Sequence, residues 1–148
     1  MDSHCCLGCQ LAHKELFVYV VYEDEYVTCI LDHDPFNSGH TLILLKKHFL
    51  DVDHLDSKTA YAIMDASSLI SRAIKMVYQP DGITICQNGG IFNELTHYHM
   101  HVIPRYENQS FADFYLESKE SSVEKIVNFE IEMLKIKNAI DKLKRLDK

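Results

Sequence analysis

The chain has 148 residues, 47% of them hydrophobic, and a formal net charge of −7, which predicts one soluble domain with a packed core. That charge argues against a general nucleic-acid binder, which needs a basic surface to displace counterions from phosphates. A single small nucleotide held by a few local donors stays compatible with it.

No apolar run approaches the ~20 residues of a membrane span. Met1-Asp2-Ser3-His4-Cys5 lacks a charged stretch followed by an apolar one, so it does not read as a secretory signal. The expectation is a cytoplasmic protein without a membrane partner. Its five cysteines, Cys5, Cys6, Cys9, Cys29 and Cys86, are odd in number, which favours burial or metal binding over disulfides. Cys6-Leu7-Gly8-Cys9 is compatible with a redox pair, half a zinc site or free thiols. Cys29 and Cys86 lie in apolar runs and are expected in the core.

Leu16 to Tyr22 is rich in Val, Tyr and Phe and predicts a strand. Glu23-Asp24-Glu25 turns the chain into a hairpin partner over Tyr26 to Asp32. Asp34-Pro35-Phe36-Asn37-Ser38-Gly39 is a loop, and His40 to Leu45 a third strand. Asp53 or Asp56 can cap a helix in which Ala60, Ile63, Met64, Ser67, Ile70, Ile74 and Val77 recur at helical spacing. Gln79-Pro80-Asp81-Gly82 ends it. Ile83 to Gln87 is a fourth strand, Asn88-Gly89-Gly90 opens a loop, and His97 to Ile103, closed by Pro104, is a fifth. A long helix is expected from about Ser121 to Leu146. Ile126, Phe129, Met133, Ile136, Ile140 and Leu143 form its apolar seam, for the chain's own sheet or for a second subunit. The predicted class is α+β, an antiparallel five-stranded sheet with flanking helices.

The chemistry concentrates in His97-Tyr98-His99-Met100-His101. Side chains alternate along a strand, so three imidazoles share one face while Tyr98, Met100 and Val102 enter the core. Adjacent imidazoles are costly to bury without partners and imply a metal, an anion or both. His40 and His48 are further candidates. Together with Cys6 and Cys9, His48 and one triad histidine could complete a zinc site, although spacing alone does not select them.

His97-x-His99-x-His101 followed by Val102-Ile103-Pro104-Arg105 resembles the signature of the histidine-triad (HIT) family. Gly39-His40-Thr41-Leu42-Ile43-Leu44-Leu45-Lys46-Lys47-His48 resembles that family's G-H-T-L-V-I-P-K-x-H block. Cys6-x-x-Cys9 and Val21-Tyr22-Glu23-Asp24-Glu25 resemble its zinc-containing bacterial members. The four blocks span residues 5 to about 106 of a single HIT-like domain, 1–148, and leave a C-terminal helical extension from about 110 to 148.

The resemblance implies a nucleotide hydrolase or nucleotidyl transferase. His99 matches the nucleophile that takes the α-phosphoryl group, His101 a phosphate contact, and His40 a histidine that steadies the phosphate network. Asp32 matches the residue holding the ribose hydroxyls, and Asn88 and Asn93 lie where the family places amides near the phosphate and nucleophile. A structural zinc ion is implied on Cys6, Cys9, His48 and His97, as are a purine nucleotide substrate and a homodimer. Where the family carries Gly-Gln-Ser/Thr-Val, this chain has Phe92-Asn93-Glu94-Leu95, and Leu45 replaces a proline. A carboxylate beside a phosphate is repulsive, so Glu94 points away, meets an amine on the leaving group or marks a changed substrate. Nucleoside phosphoramidates, aminoacyl-adenylates and dinucleoside polyphosphates are the candidate substrates. Two alternatives are a non-catalytic nucleotide-binding zinc module and a metal-dependent hydrolase that uses the triad itself as ligands.

Overall fold

The computed structural model describes residues 6–116 and 127–147. Five antiparallel strands form one sheet: β1 (Val20–Glu23), β2 (Val27–Leu31), β3 (Thr41–Leu45), β4 (Gly82–Cys86) and β5 (His99–Arg105), in the order β1-β2-β3-β5-β4. Three α-helices accompany it: α1 (Leu7–Ala12), α2 (Ser57–Tyr78) and α3 (Phe129–Leu146). The expected five-stranded α+β architecture and its C-terminal helix are present. No helix among the described residues is long and apolar enough to cross a membrane.

Strand alternation builds two cores. Val27, Cys29, Leu31, Ile43, Leu45, Tyr98, Met100 and Val102 pack toward the buried faces of α2 and α3. Ile30, Leu42 and Leu44 form a smaller cluster with Ala12 of α1 on the opposite face. Leu42 pairs with His101 and Leu44 with His99, so the two histidines share that second face, beside α1.

α2 begins at Asp56, whose carboxylate accepts the Thr59 N–H, and ends at Gln79 in the left-handed conformation. Its core residues are Thr59, Ala62, Ile63, Ala66, Ser67, Ile70, Ala73 and Ile74. Met64, expected on this face, is exposed, because the buried arc runs one position to its side. α3 buries Ile136, Ala139 and Ile140. Its seam lies on the chain's own core with Phe129, Met133 and Leu143 packed around it; Ser121 to Ile126 lie outside the described residues.

Three strand boundaries differ from expectation by two residues or more. The first strand starts at Val20 instead of Leu16, and Leu16 and Phe17 are exposed, because residues 13–19 carry the chain from α1 to the sheet edge. β5 starts at His99 and runs through Pro104 to Arg105. His97 lies just ahead of it, and Pro104 is tolerated where it faces Ile83 of the edge strand β4. Cys29 is fully buried as expected, whereas Cys86, at the end of that edge strand, is only half-buried.

Candidate active site and metal centre

The N-terminal turn that the C-x-x-C motif left undefined is α1. Cys6 caps it, its sulfur accepting the Cys9 N–H at 3.1 Å. The helix is held to the sheet by Thr28, whose Oγ1 donates to the Ala12 carbonyl at 2.6 Å. Gly8 makes this docking possible, since a Cβ there would fall 2.3 Å from the His97 Cβ. Nothing in the sequence had singled out Gly8 beyond its place in the motif.

Four ligand atoms converge where α1 meets the strands. Cys6 Sγ lies 3.5 Å from His48 Nδ1 and 3.4 Å from His97 Nδ1; Cys9 Sγ lies 3.4 Å from each; the two nitrogens are 3.2 Å apart. A zinc tetrahedron has edges of about 3.6 Å between S and N and about 3.3 Å between N and N, given Zn–S near 2.3 Å and Zn–N near 2.05 Å. The five measured edges fit it. His97 Nε2–H donates to the Leu45 carbonyl at 2.6 Å, which leaves Nδ1 with its lone pair toward the sulfurs, the usual outer support of a metal-bound histidine. Burial drives His97 down to about 4, and burial with the neighbouring Cys6 pushes the Cys9 thiol up to about 12. Such a site needs an external cation to draw the protons off its thiols. The residues therefore fit zinc in donor set, geometry and outer shell.

The second cluster is Asp32, His40 and His101, with His99 alongside. His99 Nδ1–H donates to the His97 carbonyl at 2.9 Å, so its Nε2 keeps a lone pair. Phe36 N–H donates to His40 Nδ1 at 3.0 Å. His40 Nε2 therefore carries the hydrogen and donates to His101 Nδ1 at 2.9 Å, which in turn puts the His101 hydrogen on Nε2. Asp32 Oδ2 stands 3.4 Å from His40 Nε2 and 4.0 Å from His101 Nδ1. Burial, and then the charge of His99, lowers His101 to about 4, so it is a neutral hydrogen-bond donor near pH 7.

A short turn, Phe111–Tyr115, walls this cluster. Phe114 meets the His101 ring edge-on at 5.5 Å and the His40 ring at 5.8 Å, and Phe111 stacks on Phe114 at 5.3 Å. The Arg105 guanidinium lies 4.5 Å over the Phe111 ring, so it is engaged away from the histidines. The sequence reading had placed no functional residue in this turn; its Phe-x-x-Phe spacing just beyond Arg105 was the available signal.

Both expected asparagines lie in the loop between β4 and β5. Asn93, offered as an amide near the phosphate, is buried, and its Nδ2 donates to the Leu50 and His97 carbonyls at 3.3 Å each. Asn88 is half-buried in the loop after β4, where its carbonyl accepts from Gln87 Nε2 at 2.9 Å. Glu94 is exposed. The three triad rings do not converge on one metal: His97 turns to the cysteines and His101 to His40. This removes the reading of the triad as three zinc ligands.

The HIT domain family model matches residues 14–108. An uncharacterized HIT-like protein of Borreliella burgdorferi is 36% identical over 111 residues, covering 72% of this chain and 80% of that protein. A Zn-bound histidine triad family protein from Mycobacterium smegmatis superposes with a TM-score of 0.78 at 26% identity, covering 98% of this chain and 99% of that one. A hypothetical histidine triad nucleotide-binding protein from Sulfolobus tokodaii gives a TM-score of 0.78 at 32% identity, with 95% of each chain covered. With the domain match spanning the sheet and both histidine clusters, the chain belongs to the histidine-triad (HIT) family.

Proposed function

We propose that this protein cleaves the α-phosphoryl bond of a purine nucleoside phosphate derivative through a nucleotidyl-His99 intermediate. The observation that carries the reading is the His99 ring: its Nδ1–H is held by the His97 carbonyl, so in the neutral ring Nε2 presents a lone pair. In the first half-reaction that lone pair attacks the α-phosphorus, and the bond from phosphorus to the leaving group breaks. The leaving group departs with the electron pair and takes up a proton from solvent. In the second, water attacks the phosphorus and gives up a proton to solvent, the P–N bond breaks, and the imidazole regains its lone pair as the nucleoside monophosphate leaves. A nucleophilic acceptor in place of water makes the same step a transfer.

His101 Nε2–H supplies a fixed donor to a phosphoryl oxygen, and His40, itself shut away from solvent, sets that donor by bonding His101 Nδ1. Asp32 is assigned to the ribose hydroxyls and Asn88 to the phosphate side, as the family resemblance implies. Cys6, Cys9, His48 and His97 would hold a zinc ion with all four positions filled by protein, a cross-link between the N-terminus and the start of β5. A homodimer and a cytoplasmic setting belong to the same reading, and sedimentation at micromolar concentration tests the dimer. The decisive experiment for the chemistry is a rapid acid- or base-quenched reaction with nucleotide labelled at the α-phosphorus. Label bound covalently to wild type and absent from His99→Ala supports it. Nucleotide binding with neither label nor product would leave a non-catalytic binding module.

A further inference from the structure

Asn93 stands in the loop between β4 and β5, and its carboxamide is committed to backbone. Nδ2 donates to the Leu50 and His97 carbonyls, and Oδ1 accepts the Leu95 N–H at 3.1 Å. An amide nitrogen carries two hydrogens, so none is left for a phosphate oxygen. The His97 carbonyl has two lone pairs, and it receives one bond from Asn93 and one from His99 Nδ1. The other end of the same peptide unit is held as well, with Tyr98 N–H donating to the Phe49 carbonyl at 2.7 Å. The peptide that orients His99 is thus clamped on both sides by the segment following His48, through Asn93 at one end and directly at the other.

We propose that Asn93 is a positioning residue for His99: it fixes the plane of the His97 carbonyl, and through it the tautomer and aim of the nucleophilic ring, without touching the nucleotide. The proposal rests on His99 as the nucleophile. Without the Asn93 bond the carbonyl keeps only His99 as a partner and the peptide unit can tilt. The ring then samples the tautomer with hydrogen on Nε2, which has no lone pair for phosphorus. A small loss of aim at a reacting atom lowers rate by roughly 10²-fold, while contacts to the nucleotide are unchanged.

The test compares Asn93→Ala and Asn93→Asp with wild type in three measurements: turnover of a nucleoside phosphoramidate, affinity for AMP, and the ¹⁵N NMR signature of the His99 ring in nucleotide-free protein at pH 8. The aspartate keeps the shape of the side chain but donates no hydrogen, so it serves if the alanine variant does not fold. The expected result is a kcat lower by about 30- to 100-fold, AMP affinity within about 3-fold, and a His99 ring moved from hydrogen on Nδ1 toward a mixture. Wild-type kcat with weakened AMP affinity overturns the proposal in favour of a phosphate ligand. An unchanged His99 ring signature overturns it too. The ring measurement needs no turnover: with an inert wild type, a shifted tautomer still supports the positioning role, while the loss of activity counts against the enzymatic reading alone.

Discussion

His97 and His101 stand four residues apart on one face of the same stretch of chain. Burial lowers both to about 4, and they serve different ends. His97 gives its Nε2 hydrogen to the Leu45 carbonyl, which turns Nδ1 toward two sulfurs and the His48 Nδ1. His101 accepts on Nδ1 from His40, which leaves its hydrogen on Nε2. Between them His99 is held by the carbonyl of the first. The partner of one ring nitrogen decides the work of the other. In this protein those partners are a backbone carbonyl for His97 and another imidazole for His101.

Changes to the middle ring should break the contrast most completely. His99→Ala is expected to lower kcat by more than about 10³-fold, in the range seen when a nucleophile is removed, with AMP affinity within a few-fold and zinc content unchanged. Steady-state assays and elemental analysis check both halves. Wild-type turnover in that variant would take His99 out of the mechanism.

The two ends can then be attacked separately. Cys9→Ser and Gly8→Ala should lose zinc, the second because its new methyl group collides with His97. Removing a structural metal typically costs several kcal/mol, so thermal melting should fall by roughly 10 °C. Stoichiometric zinc in both variants, with wild-type melting, would show that α1 does not close the site. On the other side, His101→Ala should lower kcat by about 10²-fold by removing a donor to developing charge, leaving zinc and melting close to wild type. His40→Ala should follow it with a smaller loss, since it acts through His101.

The pH dependence of stability sharpens the comparison further. Because burial lowers His101 to about 4 in the folded state, an unfolded chain, with its histidine near 6.5, binds that proton first. The stabilisation is complete above about pH 6.5, falls as the pH drops toward 4, and changes no further below it, to a total of at most about 3 kcal/mol. His101→Gln should flatten part of that slope in urea unfolding between pH 7 and 4.5. An identical slope in both proteins would place the effect elsewhere. The smallest change is expected for Phe114→Ala, which lets water reach His101 and should raise the pH at which the phosphate side protonates, with little effect on zinc.

Period-2 alternation and the Gly, Pro and Asp punctuation made the strands legible along the chain, together with the face each side chain takes. Tyr98, Met100 and Val102 enter the core, and the odd-numbered histidines do not. The helix from Asp56 to Gln79 was legible for the same reason, since its cap and stop are local chemistry. The start of the first strand and the extent of β5 were less so. Those limits depend on how residues 13–19 cross from α1 to the sheet and on which edge strand covers Pro104, both long-range facts. The gathering of Cys6, Cys9, His48 and His97 was expected from family resemblance, and the spacing of these residues alone did not select them.

The order of residues fixed which side chains can share a face, because a strand repeats every two residues and a helix every 3.6 whatever surrounds them. It could not fix the partners of ring nitrogens or of a carboxamide. Leu45 O, Phe36 N–H and the Leu50 carbonyl sit 52, 4 and 43 positions from the groups they bind. The first and third of those bonds exist only once β3 and the segment after His48 are folded against the residues leading into β5, and the second needs the loop before β3 in its folded form. Packing therefore settled which ring nitrogen faces the two sulfurs, which imidazole pairs with His40 and which is held by a backbone carbonyl, and it committed the Asn93 carboxamide to backbone.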